Sequence, residues 1–184
     1  MSPKGRPEGE STPKRVSAEG SPVSEHVHAG PQAIAARPLT AEAFAPYGQG
    51  LQGTGPVTER KEFASRMQNG RPHAKPNMTY MKVLPANGRV LVRAVERHPF
   101  SNQTFVPLNG TRHLVAVCPS APDGSPVVER LEVFVASGSQ AVNYDANVWH
   151  APRTALSAPG EFVMFRWDDG GAQDTELMAL ATPI

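Results

Sequence analysis

Beyond residue 78 the chain is built of short runs in which apolar and polar residues alternate, each ending at a cluster of turn formers. A period of two marks a strand with one buried face, because successive side chains point to opposite sides. On that pattern strands are expected over Thr79 to Leu84, Val90 to His98, Gln103 to Pro107, His113 to Cys118, Arg130 to Val135, Gln140 to Tyr144 and Glu161 to Trp167. The breaks fall at Pro85-Ala86-Asn87-Gly88, Asn109-Gly110, Pro122-Asp123-Gly124, Ser137-Gly138 and Ser157-Ala158-Pro159-Gly160, all rich in residues that favour turns. Asn109-Gly110 predicts a hairpin turn that would pair Gln103 to Leu108 antiparallel with His113 to Cys118. One helix is expected earlier, over Leu39 to Ala45, with Thr40 as N-cap and Pro46-Tyr47-Gly48 as the stop. Many short strands with one short helix predict a mainly all-β fold, an antiparallel β-barrel or jelly roll.

The first 36 residues have a different texture: five prolines, four glycines, five serines, no aromatic residue and balanced charges. Such a segment cannot bury enough apolar area to offset its chain entropy, so residues 1–36 are expected to be a disordered tail and residues 37–184 the single folded domain. His26 and His28 form a His-x-His pair within that tail, where loose packing argues against a metal site. Eighteen lysines and arginines against 17 acids give a formal charge of +1, which offers no long-range field for nucleic acid or a membrane surface. A small-molecule partner is the remaining expectation. No stretch approaches the roughly 20 apolar residues of a membrane helix. The single cysteine, Cys118, lies in the apolar run Leu114 to Cys118 and reads as core. A soluble, cytoplasmic protein is expected.

Candidate chemistry concentrates in two places. Strand parity puts Val90, Val92, Ala94, Glu96 and His98 on one face, so that a carboxylate and an imidazole end a run of small apolar residues. Pro99 keeps His98 extended, and Gln103 and Phe105 open the next run. The second place is the segment Gly138 to His150, where Asn143, Tyr144, Asn147 and His150 supply several hydrogen-bonding groups within eight positions. Glu96, His98 and His150 together make a two-His, one-carboxylate set of the kind that holds a divalent metal with open positions. The residues leave two cases open, no cofactor or a divalent metal.

The arrangement Glu96-x-His98, four residues, Gln103, six residues, Gly110 resembles the first motif of cupin barrels, with Glu and Gln in place of the usual first His and acid. Gly138 and His150 resemble the second motif. More closely, Glu96-Arg97-His98-Pro99 followed by Gln103-Thr104-Phe105-Val106-Pro107, then Val142-Asn143-Tyr144 and Asn147-Val148-Trp149-His150, are similar to the ureidoglycolate lyase family. Leu39 to Gly48 resembles that family's first helix, so the likeness spans about residues 37 to 180. Asp168-Asp169 stands where several members have an arginine, Thr175 where a cysteine is common, and Lys82 where an early strand often carries arginine.

The resemblance implies a cupin-like, cytoplasmic homodimer that splits ureidoglycolate into glyoxylate and urea. That reaction removes a proton from a hydroxyl and delivers one to a departing nitrogen, roles for which His98 and His150 are suited, with Glu96 orienting an imidazole or acting as base after burial raises its pKa. Gln103, Asn143 and Tyr144 are expected to bind the urea moiety, and Arg71, Lys82 or Arg166 the carboxylate. Two other readings share the same residues: a metal-dependent cupin oxygenase or isomerase acting on another small carboxylic acid, and a non-catalytic small-molecule-binding cupin.

Overall fold

The computed structural model describes residues 33–53, 58, 62 and 64–184. His26, His28 and most of the expected tail lie outside the described residues. Ile34, within the expected tail range, already packs beneath the outer face of a sheet.

Two β-sheets face each other. The first contains β1 (Arg37–Pro38), β7 (Glu132–Gly138), β6 (Gly110–Cys118), β9 (Trp149–His150), β4 (Ala94–Arg97) and β12 (Glu176–Ala179) in that spatial order, with β10 (Thr154–Ala155) also on β6. The second runs β2 (Gly48–Gln52), β8 (Gln140–Tyr144), β5 (Gln103–Pro107), β11 (Gly160–Asp168), β3 (Lys75–Val83). Every pairing between these strands is antiparallel except β1 with β7. The sheets do not close into one hydrogen-bonded barrel among the described residues, so the fold is the sandwich form of the expected jelly roll.

Alternation sorts the side chains of β6 cleanly. Val115 and Val117 join Phe44, Phe105, Phe134, Val142, Tyr144 and Phe162 between the sheets, whereas Ala116 and Cys118 join Val95, Leu131 and Trp149 on the outer face of the first sheet. Cys118 is a buried free thiol, its pKa pushed up to about 11 by burial, which fits a core role. The one α-helix among the described residues, α1 (Ala41–Phe44), starts where Thr40 accepts a hydrogen bond from the Ala43 amide at 3.1 Å. It lodges Phe44 edge-on against Phe134 and Tyr144, with ring centroids 6.0 and 5.7 Å apart.

Three expectations are corrected. Asn109-Gly110 does not close a hairpin: β5 pairs with β8 and β11, while β6 crosses to the other sheet and pairs with β7, β9 and β10. The turn chemistry is real, since Gly110 has φ 74°, but Gly110 closes on Gly138 of β7, where a Cβ would lie 1.8 Å from the Gly110 carbonyl oxygen. Asn109 is also anchored to the start of β11, donating to the Pro159 carbonyl at 2.8 Å and accepting from the Glu161 amide at 3.2 Å.

The second correction concerns Val90 to His98, which is regular strand only from Ala94. Val90 and Val92 line a separate apolar cavity of about 200 Å³ on the outer face, with Ala116, Leu131 and Ile184, so they do not share a face with Glu96 and His98. A break before Ala94 resets the parity. Third, β1, β2, β9, β10 and β12 were not anticipated.

Replacing Phe44 by Ala should cost about 3 to 5 kcal/mol of unfolding free energy, because a rigid aromatic cluster cannot collapse into the void. Denaturant titration of the variant against wild type reads the difference.

Candidate active site

The first sheet brings Glu96 and His150 side by side, since they are register partners on β4 and β9. His98, one residue past β4, lies next to them. In the second sheet Gln103 of β5 is paired with Arg166 of β11 on one side and Tyr144 of β8 on the other. Residues from five strands and one strand end therefore meet between the sheets.

His98, His150 and Gln103 are almost fully buried, and Glu96 is partly so. The Glu96 carboxylate and one nitrogen from each histidine lie within 4.8 Å of one another. His150 Nε2 stands 2.9 Å from Gln103 Oε1 and 3.6 Å from Glu96 Oε1, and its Nδ1 stands 2.9 Å from the Val148 carbonyl. Nε2 faces the acceptor oxygens of Gln103 and Glu96, so it is the nitrogen placed to carry a proton into the site. The loop before β9 is set by Asn147, in the left-handed region at φ 69°, whose amide donates to the His98 carbonyl at 2.8 Å.

His98 is held from the opposite side. Its Nδ1 is 2.9 Å from the Asp174 carbonyl, with Thr175 Oγ1 at 3.2 Å and Arg166 Nη1 at 3.4 Å. Its Nε2 is buried and has no hydrogen-bond partner among the described residues. Burial, reinforced by the neighbouring His150, brings its pKa down to about 4, so the ring is neutral at physiological pH. Donation from Nδ1 to the Asp174 carbonyl then makes Nε2 a bare lone pair. Glu96 departs from expectation: the hydrogen bond to His150 outweighs burial and holds its carboxyl below the usual range, so it is a carboxylate and not a raised-pKa acid.

Several expected binding residues are elsewhere. Asn143 faces away from the histidines, accepting from Asn102 at 2.9 Å and Thr104 at 2.7 Å and donating to the Arg66 carbonyl at 2.9 Å. Adjacent residues of a strand point to opposite faces, and Tyr144 takes the inward one. Lys82 is on the outer face of the second sheet, paired at 3.0 Å with Glu161 and more than half exposed. Arg71 is spent on Asp169, at 3.0 Å, and on Asp174, while lying over the Phe100 ring at 4.9 Å. It braces the segment whose backbone holds His98.

Tyr144 stacks flat on His150, with centroids 4.1 Å apart and planes 10° from parallel, and its hydroxyl accepts from Arg153 Nη2 at 3.2 Å. Arg166 borders His98 but also pairs with Asp168 at 3.0 Å, as the sequence allowed. Sequence reasoning missed Asp174 and Arg153, and noted Thr175 only as standing where a cysteine is common. Asp174 acts through a backbone carbonyl that no pattern announces, and Pro152 interrupts any parity argument from His150 to Arg153.

A divalent metal fits this donor set. Glu96 oxygen, His98 Nε2 and His150 Nε2 provide two imidazoles and a carboxylate, and the Nδ1 contacts of both rings to backbone carbonyls are the outer contacts that orient metal-binding histidines. Among the described residues no helix is long and apolar enough to cross a membrane.

Residues 31–184 match the family model described as ureidoglycolate lyase. A protein of Agrobacterium fabrum is 38% identical over 154 residues, covering 82% of this chain and 93% of its own length. The ureidoglycolate lyase of Schizosaccharomyces pombe is 33% identical over 178 residues, with coverage of 82% and 93%. That of Brucella anthropi is 34% identical over 151 residues, covering 78% and 86%.

The geometry separates Asn143 from ligand binding. Asn143→Ala should lower stability by about 2 kcal/mol through stranded partners on Thr104 and Arg66, while its effect on KM stays within roughly twofold. Thermal unfolding and steady-state kinetics on the same preparation check both halves.

Proposed function

The chain belongs to the ureidoglycolate lyase family, and from that premise we propose that it cleaves ureidoglycolate to glyoxylate and urea. The observation that carries the reading is the buried grouping of His150 and the Glu96 carboxylate with neutral His98, whose Nε2 has no hydrogen-bond partner among the described residues. We take residues 37–184 as the catalytic domain, with the packing of Ile34 supporting a start at or before that point.

The substrate carbon carries a hydroxyl, a carboxylate and the ureido nitrogen. Cleavage takes the hydroxyl proton, turns the freed electron pair into the aldehyde C=O, and expels the C–N pair onto nitrogen, which needs a proton to leave as urea. His98 Nε2, neutral and without a competing donor, takes the hydroxyl proton. The Arg166 guanidinium, 3.4 Å from the Nδ1 edge, disfavours a second proton on the ring and so keeps His98 available as a base. His150 Nε2 delivers the proton to the leaving nitrogen, with Glu96 and Gln103 fixing the ring edge and Tyr144 its face. Gln103 also offers its amide to the urea group. A divalent metal held by Glu96, His98 and His150 would occupy those same ring nitrogens and supply Lewis-acid polarisation of the substrate oxygens in place of their proton transfers.

Homodimerisation is part of the proposal. It is supported by edge strand β3, whose Met78 and Tyr80 are 72% and 58% exposed. Cytoplasmic location is supported by the lone buried thiol of Cys118.

Purified protein given ureidoglycolate should release urea and glyoxylate in equal amounts; no urea would overturn the reading. His150→Gln and His98→Gln should each lower kcat about 100- to 10,000-fold, and wild-type rates in either would remove that residue from the chemistry. The pH profile has a definite sign: protonated His98 cannot accept, so kcat/KM should fall as pH drops through about 4 and stay insensitive to this group above it. Exhaustive chelation sorts the metal: activity lost and restored by a divalent cation assigns one, and unchanged activity removes it from the mechanism.

A further inference from the structure

One cation between the sheets has no role so far. The Arg153 guanidinium lies over the Phe105 ring with Cζ 4.1 Å from its centroid, and 5.7 Å from the centroids of both Tyr144 and Phe162. Its Nη2 donates to Tyr144 Oη, but Nε and Nη1 are buried and have no hydrogen-bond partner among the described residues. No described carboxylate forms an ion pair with it. Stacking on aromatic faces offsets part of the lost hydration, yet it satisfies none of the in-plane N–H groups.

A second unsatisfied group lies alongside. His113 is wholly buried, packs edge-on against the same Phe162 ring at 5.1 Å, and, the Thr111 backbone apart, has no hydrogen-bond partner on its ring nitrogens among the described residues. Burial and the nearby Arg153 charge bring its pKa down to about 3, so it adds a neutral donor and acceptor and no second charge. Unpaired polar groups so placed are costly to the folded protein unless something else fills their valences.

Position along the strands relates this pair to the histidines. Gln103 and Phe105 share the inward face of β5, two residues and therefore about 7 Å apart. Arg166 and Met164 of β11 are their register partners. Arg153 over Phe105 is thus one side-chain layer from His150 over Gln103, and Tyr144 joins the two layers through its ring on one and its hydroxyl on the other.

We propose that Arg153, backed by His113, is an anion subsite that takes the carboxylate of the substrate while its hydroxyl and ureido nitrogen lie at His98 and His150. The subsite rests on the lyase reading and adds to it the group that selects an acid over a neutral analogue. A planar fork over aromatic rings grips a carboxylate in two prongs, which a lysine cannot do.

Wild type, Arg153→Met and Arg153→Lys are compared in steady-state kinetics on ureidoglycolate and in calorimetric titration with oxalurate and its uncharged amide, oxaluramide. Wild type should bind oxalurate at least about 30-fold more tightly than the amide. Arg153→Met should lose that preference and raise KM roughly 30- to 100-fold with kcat changed less than about fivefold. Its melting temperature should hold or rise, because a half-buried cation with two buried, unpartnered nitrogens has been replaced by an apolar side chain of similar reach. Arg153→Lys should fall in between. A purely structural cation over Phe105 predicts the reverse, lower melting temperature with unchanged KM and preference, and that result overturns the subsite. Should Arg153→Met fail to fold, Arg153→Lys decides, and wild-type KM and preference in it overturn the subsite equally. Active wild type with Arg153-independent KM sinks the subsite alone, whereas wild type that neither releases urea nor binds oxalurate sinks the lyase reading and the subsite with it.

Discussion

The pairing of β4 with β9 at Glu96 and His150 is the constraint from which the chemistry follows. It is a single register point between two short strands, and a slip by one residue would turn Glu96 to the outer face and bring Val95 or Arg97 inward. What prevents the slip is the packing on the outer face, where Val95, Ala116, Cys118 and Trp149 interlock. Trp149 is further tied by its indole N–H to the Gly124 carbonyl at 2.9 Å and by the Arg97 guanidinium 4.6 Å from its ring centroid. Thus a hydrophobic layer with no chemistry of its own fixes which residues reach the interior.

Dryness then sets the character of the two imidazoles. His98 is neutral because charging it would bury a cation beside His150 and Arg166, and its tautomer is set by the Asp174 carbonyl. That carbonyl is itself held in place. Asp174 accepts from the amides of Asp169 and Gly170 and from Arg71, so a surface-facing network determines which nitrogen of an interior ring is bare. Thr175, with its hydroxyl 3.2 Å from His98 Nδ1 and 3.1 Å from Arg166 Nη1, closes the same corner.

The strands that were legible in the sequence were those with uninterrupted alternation and turn formers at both ends. Gln103 to Pro107 and Gln140 to Tyr144 match residue for residue. Those that were not lack the period: β2 is Gly- and Gln-rich, β12 is exposed on both faces, and β9 is too short to show one. The Asn109-Gly110 error has a different origin, since a turn residue states that the chain reverses without stating which strand it will lie against. The grouping of Glu96, His98 and His150 was legible from Glu96-x-His98-Pro99 and from the polar cluster that ends at His150, although the Val90 to His98 parity argued beside it fails before Ala94. Asn143 was misplaced although parity forbade it, because it and Tyr144 cannot both face inward, and Lys82 fails by the same rule beside inward Met81. Arg71 and Arg153 lay beyond such rules, being placed by loops and by contacts made across the fold.

The charges left between the sheets suit an acidic substrate. Arg166 is paired with Asp168, Glu96 is matched by His150, and the two buried rings whose pKa burial lowers, His98 and His113, are neutral. Arg153 is what remains, a positive charge with no carboxylate among the described residues to balance it. An interior built only for packing would discard such a group in favour of an apolar side chain, because an unpaired cation weakens the fold. An interior that must admit a small acid and release an uncharged urea has reason to keep it: the acid supplies the missing charge on entry, and the cation is left to hold glyoxylate, the product that retains the carboxylate, after the neutral fragment has gone.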